Sequence, residues 1–230
     1  MQKSAEQYQE THGALAAEAS ARKRIAIVDD HSMVRAGMEA LFLGCPDLCV
    51  VATGGNPHDA LALASSQELD VMVLDIVMRQ ESAVDVLGKI ASAAPHMGTV
   101  IYSGYPEQQF ALPLIRLGAR AYVDKSAPLH ELVDAVRAVA YGSTYFSKRV
   151  QSMLWAALDT ATPSGTAGLT PREFQIFLRL ASGQTVTEIA AALRLTDVTV
   201  SSHRARVLQK LKLSSNSHLT RYAMDHHFLN

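Results

Sequence analysis

The chain has 230 residues, an apolar content of 48% and a formal net charge of -1, which suits one or two domains with packed cores. Its two cysteines, Cys45 and Cys49, supply neither a disulfide framework nor a four-ligand zinc site. No apolar stretch reaches the length of a membrane span and the N-terminus lacks the apolar core of a signal peptide, so we expect a cytoplasmic protein with no membrane partner.

The N-terminal two thirds of the chain show a repeating pattern. Residues 1–23 are polar and Ala-rich, and we expect a disordered extension there. From Arg24 onward, short apolar runs alternate with amphipathic segments. The predicted strands lie near 24–28, 49–53, 71–74, 99–102 and 121–123, and the predicted helices near 31–43, 57–63, 82–93, 107–117 and 128–141. This alternation predicts an α/β fold with a doubly wound, five-stranded parallel sheet.

Acidic residues follow two of the predicted strands. Asp29 and Asp30 come directly after the first strand, and Asp75 comes directly after the third. Because the carboxyl ends of parallel strands meet at one edge of a sheet, we expect the three carboxylates to converge. Crowded carboxylates repel one another and need a cation, and hard oxygen ligands suit Mg²⁺. A metal beside a carboxylate at this edge can direct a phosphoryl group onto that carboxylate.

Two further polar residues follow strands at the same predicted edge. Ser103 comes after the fourth strand and Lys125 comes shortly after the fifth. Either residue alone is ordinary in a turn, but a hydroxyl and an ammonium beside the acids could bind two phosphoryl oxygens. The five residues together therefore favour a phosphoryl-binding site.

Residues 28–31, 74–78, 103–104 and 118–125 resemble the receiver domain of two-component response regulators. The resemblance covers about 24–142 and implies that a sensor histidine kinase phosphorylates Asp75. The implied Mg²⁺ ligands are Asp29, Asp30, Asp75 and the backbone carbonyl of Val77, and the implied phosphoryl-binding and switch residues are Ser103, Tyr122 and Lys125.

The chain departs from the receiver pattern in the loop after Met78. Arg79, Gln80 and Ala83 stand where the family usually has Pro, Gly and Gly. An alternative therefore stays open, in which a constitutive DNA-binding regulator uses its receiver as a phosphorylation-independent interaction module. An enzyme unrelated to signalling is not expected, because no glycine-rich phosphate loop follows the first strand.

A change in composition divides the chain. We expect a receiver domain at 24–146, a connection at 147–168 and a second domain at 169–230. The connection holds a short helix near 151–158 and then a segment rich in Thr, Ser, Gly and Pro, which is typical of a flexible linker. Capping patterns beyond it predict a small all-α domain of four helices, with a helix-turn-helix at its centre.

The second domain is basic, with eight Lys or Arg against four Asp or Glu over residues 169–230. This charge indicates a polyanionic partner. On the third helix of this domain, Val200, Val207 and Leu211 share one face, and small residues with Arg206 lie opposite, so that face could enter a major groove. The predicted DNA-binding residues are Ser201, Ser202, Arg204, Ala205, Arg206, Gln209 and Lys210.

Residues 169–173, 188–190, 199–204 and 210–211, with Gly183, resemble the LuxR-type DNA-binding domain of the NarL/FixJ response regulators. The resemblance implies a double-stranded DNA partner and a homodimer when the protein is phosphorylated. The implied dimer contact on the last helix is a stripe of Leu219, Tyr222 and Ala223. The sequence thus predicts a phosphorylation-controlled, DNA-binding transcriptional regulator of a two-component system.

Overall fold

The computed structural model describes residues 22–66, 68–78, 81–82, 84–159 and 169–225. The expected disorder of the N-terminal extension and the expected linker at 160–168 lie outside the described residues, except that Lys23 already belongs to the first strand. Arg79, Gln80 and Ala83 also lie outside the described residues.

Strands and helices alternate in the N-terminal part of the chain. The elements are β1 (Lys23–Val28), α1 (Ser32–Leu43), β2 (Leu48–Gly54), α2 (Pro57–Ser66), β3 (Val71–Leu74), β4 (Val77–Met78), β5 (Glu81–Ser82), α3 (Val84–Ala93), β6 (Gly98–Ser103), α4 (Glu107–Arg116), β7 (Ala119–Asp124) and α5 (Leu129–Ala140). Five of the strands form one parallel sheet in the order β2-β1-β3-β6-β7. The predicted α/β fold is confirmed.

The central strand β3 is covered on both faces. Val71 and Val73 pack into the cluster that contains residues of α1 and α5, whereas Met72 and Leu74 pack into the cluster formed with α2, α3 and α4. Burial on both faces explains why this strand has a continuous apolar run instead of an alternating pattern. The apolar run ends at Leu74, and the carboxylate of Asp75 follows it directly.

A short hairpin follows the central strand. Strands β4 and β5 pair antiparallel, with Val77 opposite Ser82 and Met78 opposite Glu81. The sequence predicts only a loop here, because strands of two residues are too short to show a periodicity. The hairpin is the main local difference from the element pattern that the sequence predicts.

The chain returns to the sheet after α5. Tyr145 forms a parallel bridge with Ala121 beside β7, and the next helix, α6 (Lys148–Asp159), packs on α4. This helix begins earlier than predicted, because the Ser147 hydroxyl accepts a hydrogen bond from the Val150 N–H, at 3.2 Å, and caps the first turn.

The C-terminal part has the four predicted helices: α7 (Pro171–Ala181), α8 (Val186–Leu193), α9 (Asp197–Lys210) and α10 (Asn216–Asp225). Capping boxes begin α7 and α8, formed by Thr170 with Glu173 and by Thr185 with Glu188. Helices α8 and α9 form the helix-turn-helix. Within the described ranges, the protein has no helix with the length and apolarity that crossing a membrane requires.

The side chain of Lys210, at the end of α9, contacts Glu173 of its own domain. Its Nζ lies 2.7 Å from Oε2 of Glu173, a residue that is only 3% exposed. Burial by itself would raise the pKa of Glu173, but the Lys210 ammonium and the hydrogen bonds of Thr170 outweigh burial and hold that pKa below its ordinary value. This ion pair engages the Lys210 ammonium within its own domain, and the prediction that Lys210 binds DNA stays a prediction.

Replacing Lys210 by Met is expected to lower the free energy of unfolding of this domain by about 2 kcal/mol at pH 7, because a buried carboxylate loses its charged partner. Glu173 has a lowered pKa in the folded state, so its stabilising contribution is present above about pH 4.5 and is lost as the pH falls through the folded value. The deficit of the variant should therefore shrink below about pH 4.5, as measured by urea unfolding across pH. Lys212→Met, at an exposed position, is the control; an equal loss in both variants would contradict the assignment.

Candidate functional site

Three carboxylates lie together at the carboxyl edge of the parallel sheet. Strands β1 and β3 are neighbours, and the Asp75 N–H donates to the Val28 carbonyl at 2.9 Å, so Asp29 and Asp75 leave the sheet side by side. Possible ligand atoms of Asp29, Asp30, Asp75 and His31 all lie within 4.8 Å of one another. This set of carboxylate oxygens fits Mg²⁺, which prefers oxygen ligands.

Lys125 joins two of these carboxylates. Its Nζ donates to Oδ2 of Asp29 and to Oδ2 of Asp75, at 2.8 Å in each case. The Lys125 N–H donates to the Ser103 carbonyl at 2.8 Å, which shows that the ends of β6 and β7 bring this lysine to the edge. The structure thus brings together the acids, the lysine and the serine that the sequence placed at strand ends.

The electrostatics of the pocket are set by burial and by opposing charges. Burial raises the pKa of Asp75 to about 6, while Lys125 opposes this shift and Asp29 adds to it. Burial would lower the pKa of Lys125, but the carboxylates of Asp75 and Asp29 outweigh burial and raise it. Above about pH 6, Asp75 is therefore an anion held beside a permanent cation. An ionised carboxylate of this kind is a nucleophile.

Ser103 and Tyr122 meet at the backbone of Tyr105. The buried Ser103 Oγ accepts from the Tyr105 N–H at 3.3 Å, and the Tyr122 hydroxyl donates to the Tyr105 carbonyl at 2.9 Å. Burial raises the pKa of Tyr122, which keeps its hydroxyl protonated. Val77 lies in β4, two residues after Asp75.

Aromatic rings continue from this point to the C-terminal domain. The Tyr105 ring packs edge-on against Phe110 of α4, with 6.0 Å between ring centroids. Phe110 in turn lies 4.7 Å from Phe174 and 5.9 Å from Phe177, both of α7, between centroids. All three phenylalanines are fully buried. One hydrophobic cluster therefore spans both domains.

An ion pair accompanies the aromatic contact. Nη2 of Arg179, on α7, lies 2.6 Å from Oδ2 of Asp85. Asp85 is in the first turn of α3, the helix that follows the hairpin after β3. The residues of this interface were not predicted from the sequence, because apolar and charged positions on a helix do not reveal which of them face another domain.

The outer face of α9 is exposed while the two domains are in contact. Opposite that face, Val200 and Val207 are fully buried. Arg204 is half-buried and its Nε donates to Asn216 Oδ1 at 2.6 Å, so this nitrogen is engaged within its own domain. The predicted DNA-binding residues that are exposed are Ser201, Ser202, Ala205, Arg206, Gln209 and Lys210.

The predicted dimer stripe on α10 needs a correction. Leu219 and Ala223 are fully buried in the core of their own domain, so they cannot contact a second copy without unpacking that core. Tyr222 is half-buried, and its ring lies 6.2 Å from that of Phe177. Leu219 and Ala223 therefore face inward, and a dimer contact through Tyr222 stays a prediction.

A receiver-type α/β domain with an acidic edge, joined to a helix-turn-helix domain, defines a response regulator. The family model "Response regulator receiver domain" matches residues 25–137, and the model "Bacterial regulatory proteins, luxR family" matches residues 167–223. Response regulator UvrY of Escherichia coli (strain K12) is 30% identical over 208 residues, which cover 90% of this chain and 95% of that protein. Response regulator GacA of Pseudomonas aeruginosa is 31% identical over 207 residues, which cover 88% and 96%. The chain belongs to the NarL/FixJ family of response regulators.

Solved structures show the same two-domain fold. RcsB from Salmonella enterica serovar Typhimurium, bound to promoter P1flhDC in the presence of the phosphomimetic BeF3-, superposes with a TM-score of 0.72 at 20% identity. That alignment covers 89% of this chain and 99% of the RcsB chain. At this identity the likeness shows the fold alone.

Replacing Asp75 by Asn is expected to stabilise the metal-free protein at pH 7.5 by about 2 kcal/mol, because a buried charge is removed. The pKa of Asp75 is raised in the folded state, so its carboxyl favours folding below the ordinary value of 3.8, and this contribution is lost as the pH rises through about 6. The gain in the variant should therefore fade towards pH 4. Urea unfolding at both pH values measures it, and a variant less stable than wild type at pH 7.5 would contradict the assigned cause.

Proposed function

We propose that this protein is a cytoplasmic, phosphorylation-controlled transcriptional regulator, and that a sensor histidine kinase phosphorylates it on Asp75. The observation that carries the proposal is the Lys125 ammonium, which contacts the Asp29 and Asp75 carboxylates at 2.8 Å. The proposed domains are a receiver at 24–146, a connection at 147–168 and a DNA-binding domain at 169–230.

The pocket supports attack of a carboxylate on phosphorus. An Asp75 oxygen forms the new P–O bond while the P–N bond to the kinase histidine breaks, which gives an acyl phosphate. Asp29, Asp30, Asp75 and the Val77 carbonyl are the proposed ligands of Mg²⁺, which would neutralise charge on the phosphoryl oxygens. Lys125 then pairs with one phosphoryl oxygen, and the Ser103 hydroxyl donates to another.

The contacts beyond the pocket suggest how the signal leaves it. When the Ser103 hydroxyl turns towards the phosphoryl group, it loses the hydrogen bond that it accepts from the Tyr105 N–H. The Tyr122 hydroxyl donates to the carbonyl of the same residue, Tyr105. The Tyr105 ring contacts Phe110, which packs on α7. We propose that phosphorylation changes this interdomain contact and favours a homodimer, whose two α9 helices would meet half-sites about one turn of DNA apart. The promoter-bound RcsB structure and that of two RcsB dimers on two DNAs support this partner and assembly.

A specific observation supports a second candidate function, constitutive DNA binding. The outer face of α9 is exposed in the described structure although the domains are docked, so the receiver does not have to release α9 before DNA binds. A constitutive DNA binder with a phosphorylation-independent receiver fits this feature. Such a protein would show no change in the fluorescence of Trp155, its single tryptophan, when beryllofluoride and Mg²⁺ are added.

The acceptor assignment is tested with radiolabelled acetyl phosphate and Mg²⁺. Asp75→Asn is expected to abolish labelling, because an amide cannot form the acyl phosphate. The matched control is Asp124→Asn, since Asp124 lies at the same edge but its Oδ1 is engaged by Ser126. Label that persists in Asp75→Asn would refute the assignment.

The interdomain contact is tested by its reciprocal effect on the pocket. If phosphorylation weakens the contact between the two domains, then weakening that contact must raise the affinity of the receiver for the phosphoryl mimic by the same factor. Arg179→Gln removes the ion pair with Asp85 and is expected to raise beryllofluoride affinity about fivefold, at fixed Mg²⁺, in a titration of Trp155 fluorescence.

The control for this test is Arg221→Gln. Arg221 pairs with Asp225 at 3.7 Å within α10, and both side chains are exposed, so its loss should leave beryllofluoride affinity unchanged. Equal affinities in wild type and Arg179→Gln would contradict the proposed coupling.

A further inference from the structure

Val198 is a large apolar side chain that is exposed on the outer face of α9. We propose that Val198 reads a thymine through its 5-methyl group and is a specificity-determining residue of the DNA site. This inference rests on the proposed function, in which the outer face of α9 enters the major groove.

The position of Val198 on the helix is well defined. It is the second residue of α9, whose start is capped by the Thr196 hydroxyl accepting from the Thr199 N–H at 3.2 Å. At 100° per residue, Val198 points away from Val200 and Val207, which are fully buried. Val198 itself is 76% exposed. It therefore lies in the first turn of the helix, on the side away from the domain core.

The neighbours of Val198 allow a close approach to DNA. Ser202 and Ala205 share its face one and two turns along, Ser201 flanks it, and all three are exposed. Their side chains are short, so the helix can sit deep enough for an isopropyl group to touch a base edge. The longer charged side chain of Arg206 lies towards one margin, where it can reach a phosphate.

The chemistry of the valine selects one base. The thymine methyl is the only methyl group on the major-groove edges of the four base pairs. An isopropyl group placed over the other edges would cover hydrogen-bonding atoms without replacing their partners, which is unfavourable. In helix-turn-helix proteins, residues near the N-terminus of the recognition helix contact base edges. An isolated exposed valine is common on protein surfaces. Val198, however, lies where contact with a thymine methyl would discriminate between base pairs.

The test uses DNA that differs by a methyl group. Duplexes that bind the full chain, activated with Mg²⁺ and beryllofluoride, are first selected from a random library. Each thymine of the selected site is then replaced singly by uracil, which lacks the methyl. Fluorescence anisotropy is expected to show one position in each half-site at which the replacement weakens binding about threefold to fivefold.

The variant Val198→Ala locates the contact. It should bind the thymine duplex about threefold to fivefold more weakly than wild type, and uracil at that position should cause no further loss. Val198 is exposed, so the variant should keep its fold, which circular dichroism verifies. Met224→Ala, at another exposed apolar residue of the same domain, should keep both the affinity and the uracil effect.

Three results would overturn the inference. A uracil effect that persists unchanged in Val198→Ala would assign the methyl contact to another residue, such as Ala205. The absence of any uracil-sensitive position in wild type would show that no methyl is read. Failure of the wild type to select any duplex would instead contradict the proposed DNA-binding function, so the two failures are distinguishable.

Discussion

The crowding of negative charge at one edge of the sheet is the constraint on which the structure depends. Asp29, Asp30 and Asp75 are brought within a few ångströms by strand pairing and cannot separate without breaking it. Their mutual repulsion in a partly buried site is compensated in part by the Lys125 ammonium. The remaining negative charge supports the proposal that a divalent cation, and then a phosphoryl group, bind in this pocket.

The same edge is where the receiver meets the rest of the chain. Tyr105 joins the hydrogen bonds of Ser103 and Tyr122 to the ring of Phe110, and Phe110 packs on α7. A second contact, from Asp85 to Arg179, begins at the helix that follows the hairpin. In this account a change in the pocket reaches the DNA-binding domain through α7, while the outer face of α9 stays exposed.

The sequence predicted the sheet and the convergence of the pocket residues, because both follow from local patterns combined with one topological rule. Each of Asp29, Asp75 and Ser103 stands directly after an apolar run, and parallel strands leave no choice of edge. The exposed small residues of α9 followed equally from a helical wheel. For these features, the local pattern contained the information that decided the structure.

Contacts between distant elements were not predictable in this way. Lys210 lies on the flank of the α9 wheel, and its direction is decided by Glu173 on another helix. The spacing of Leu219 and Ala223 defined a stripe, but spacing does not tell whether a stripe packs on its own domain or on a second copy. The Phe110–Phe174 stack joins domains whose relative placement no local pattern encodes.

Paramagnetic broadening by Mn²⁺, followed by NMR of the backbone amides in the full chain, tests the central claim most directly. Substoichiometric Mn²⁺ should broaden the amides of residues 29–31, 75–77, 103–105 and 125 first, and excess Mg²⁺ should restore them. Broadening confined to other parts of the chain, or broadening that Mg²⁺ does not reverse, would contradict a divalent-cation site at this edge of the sheet.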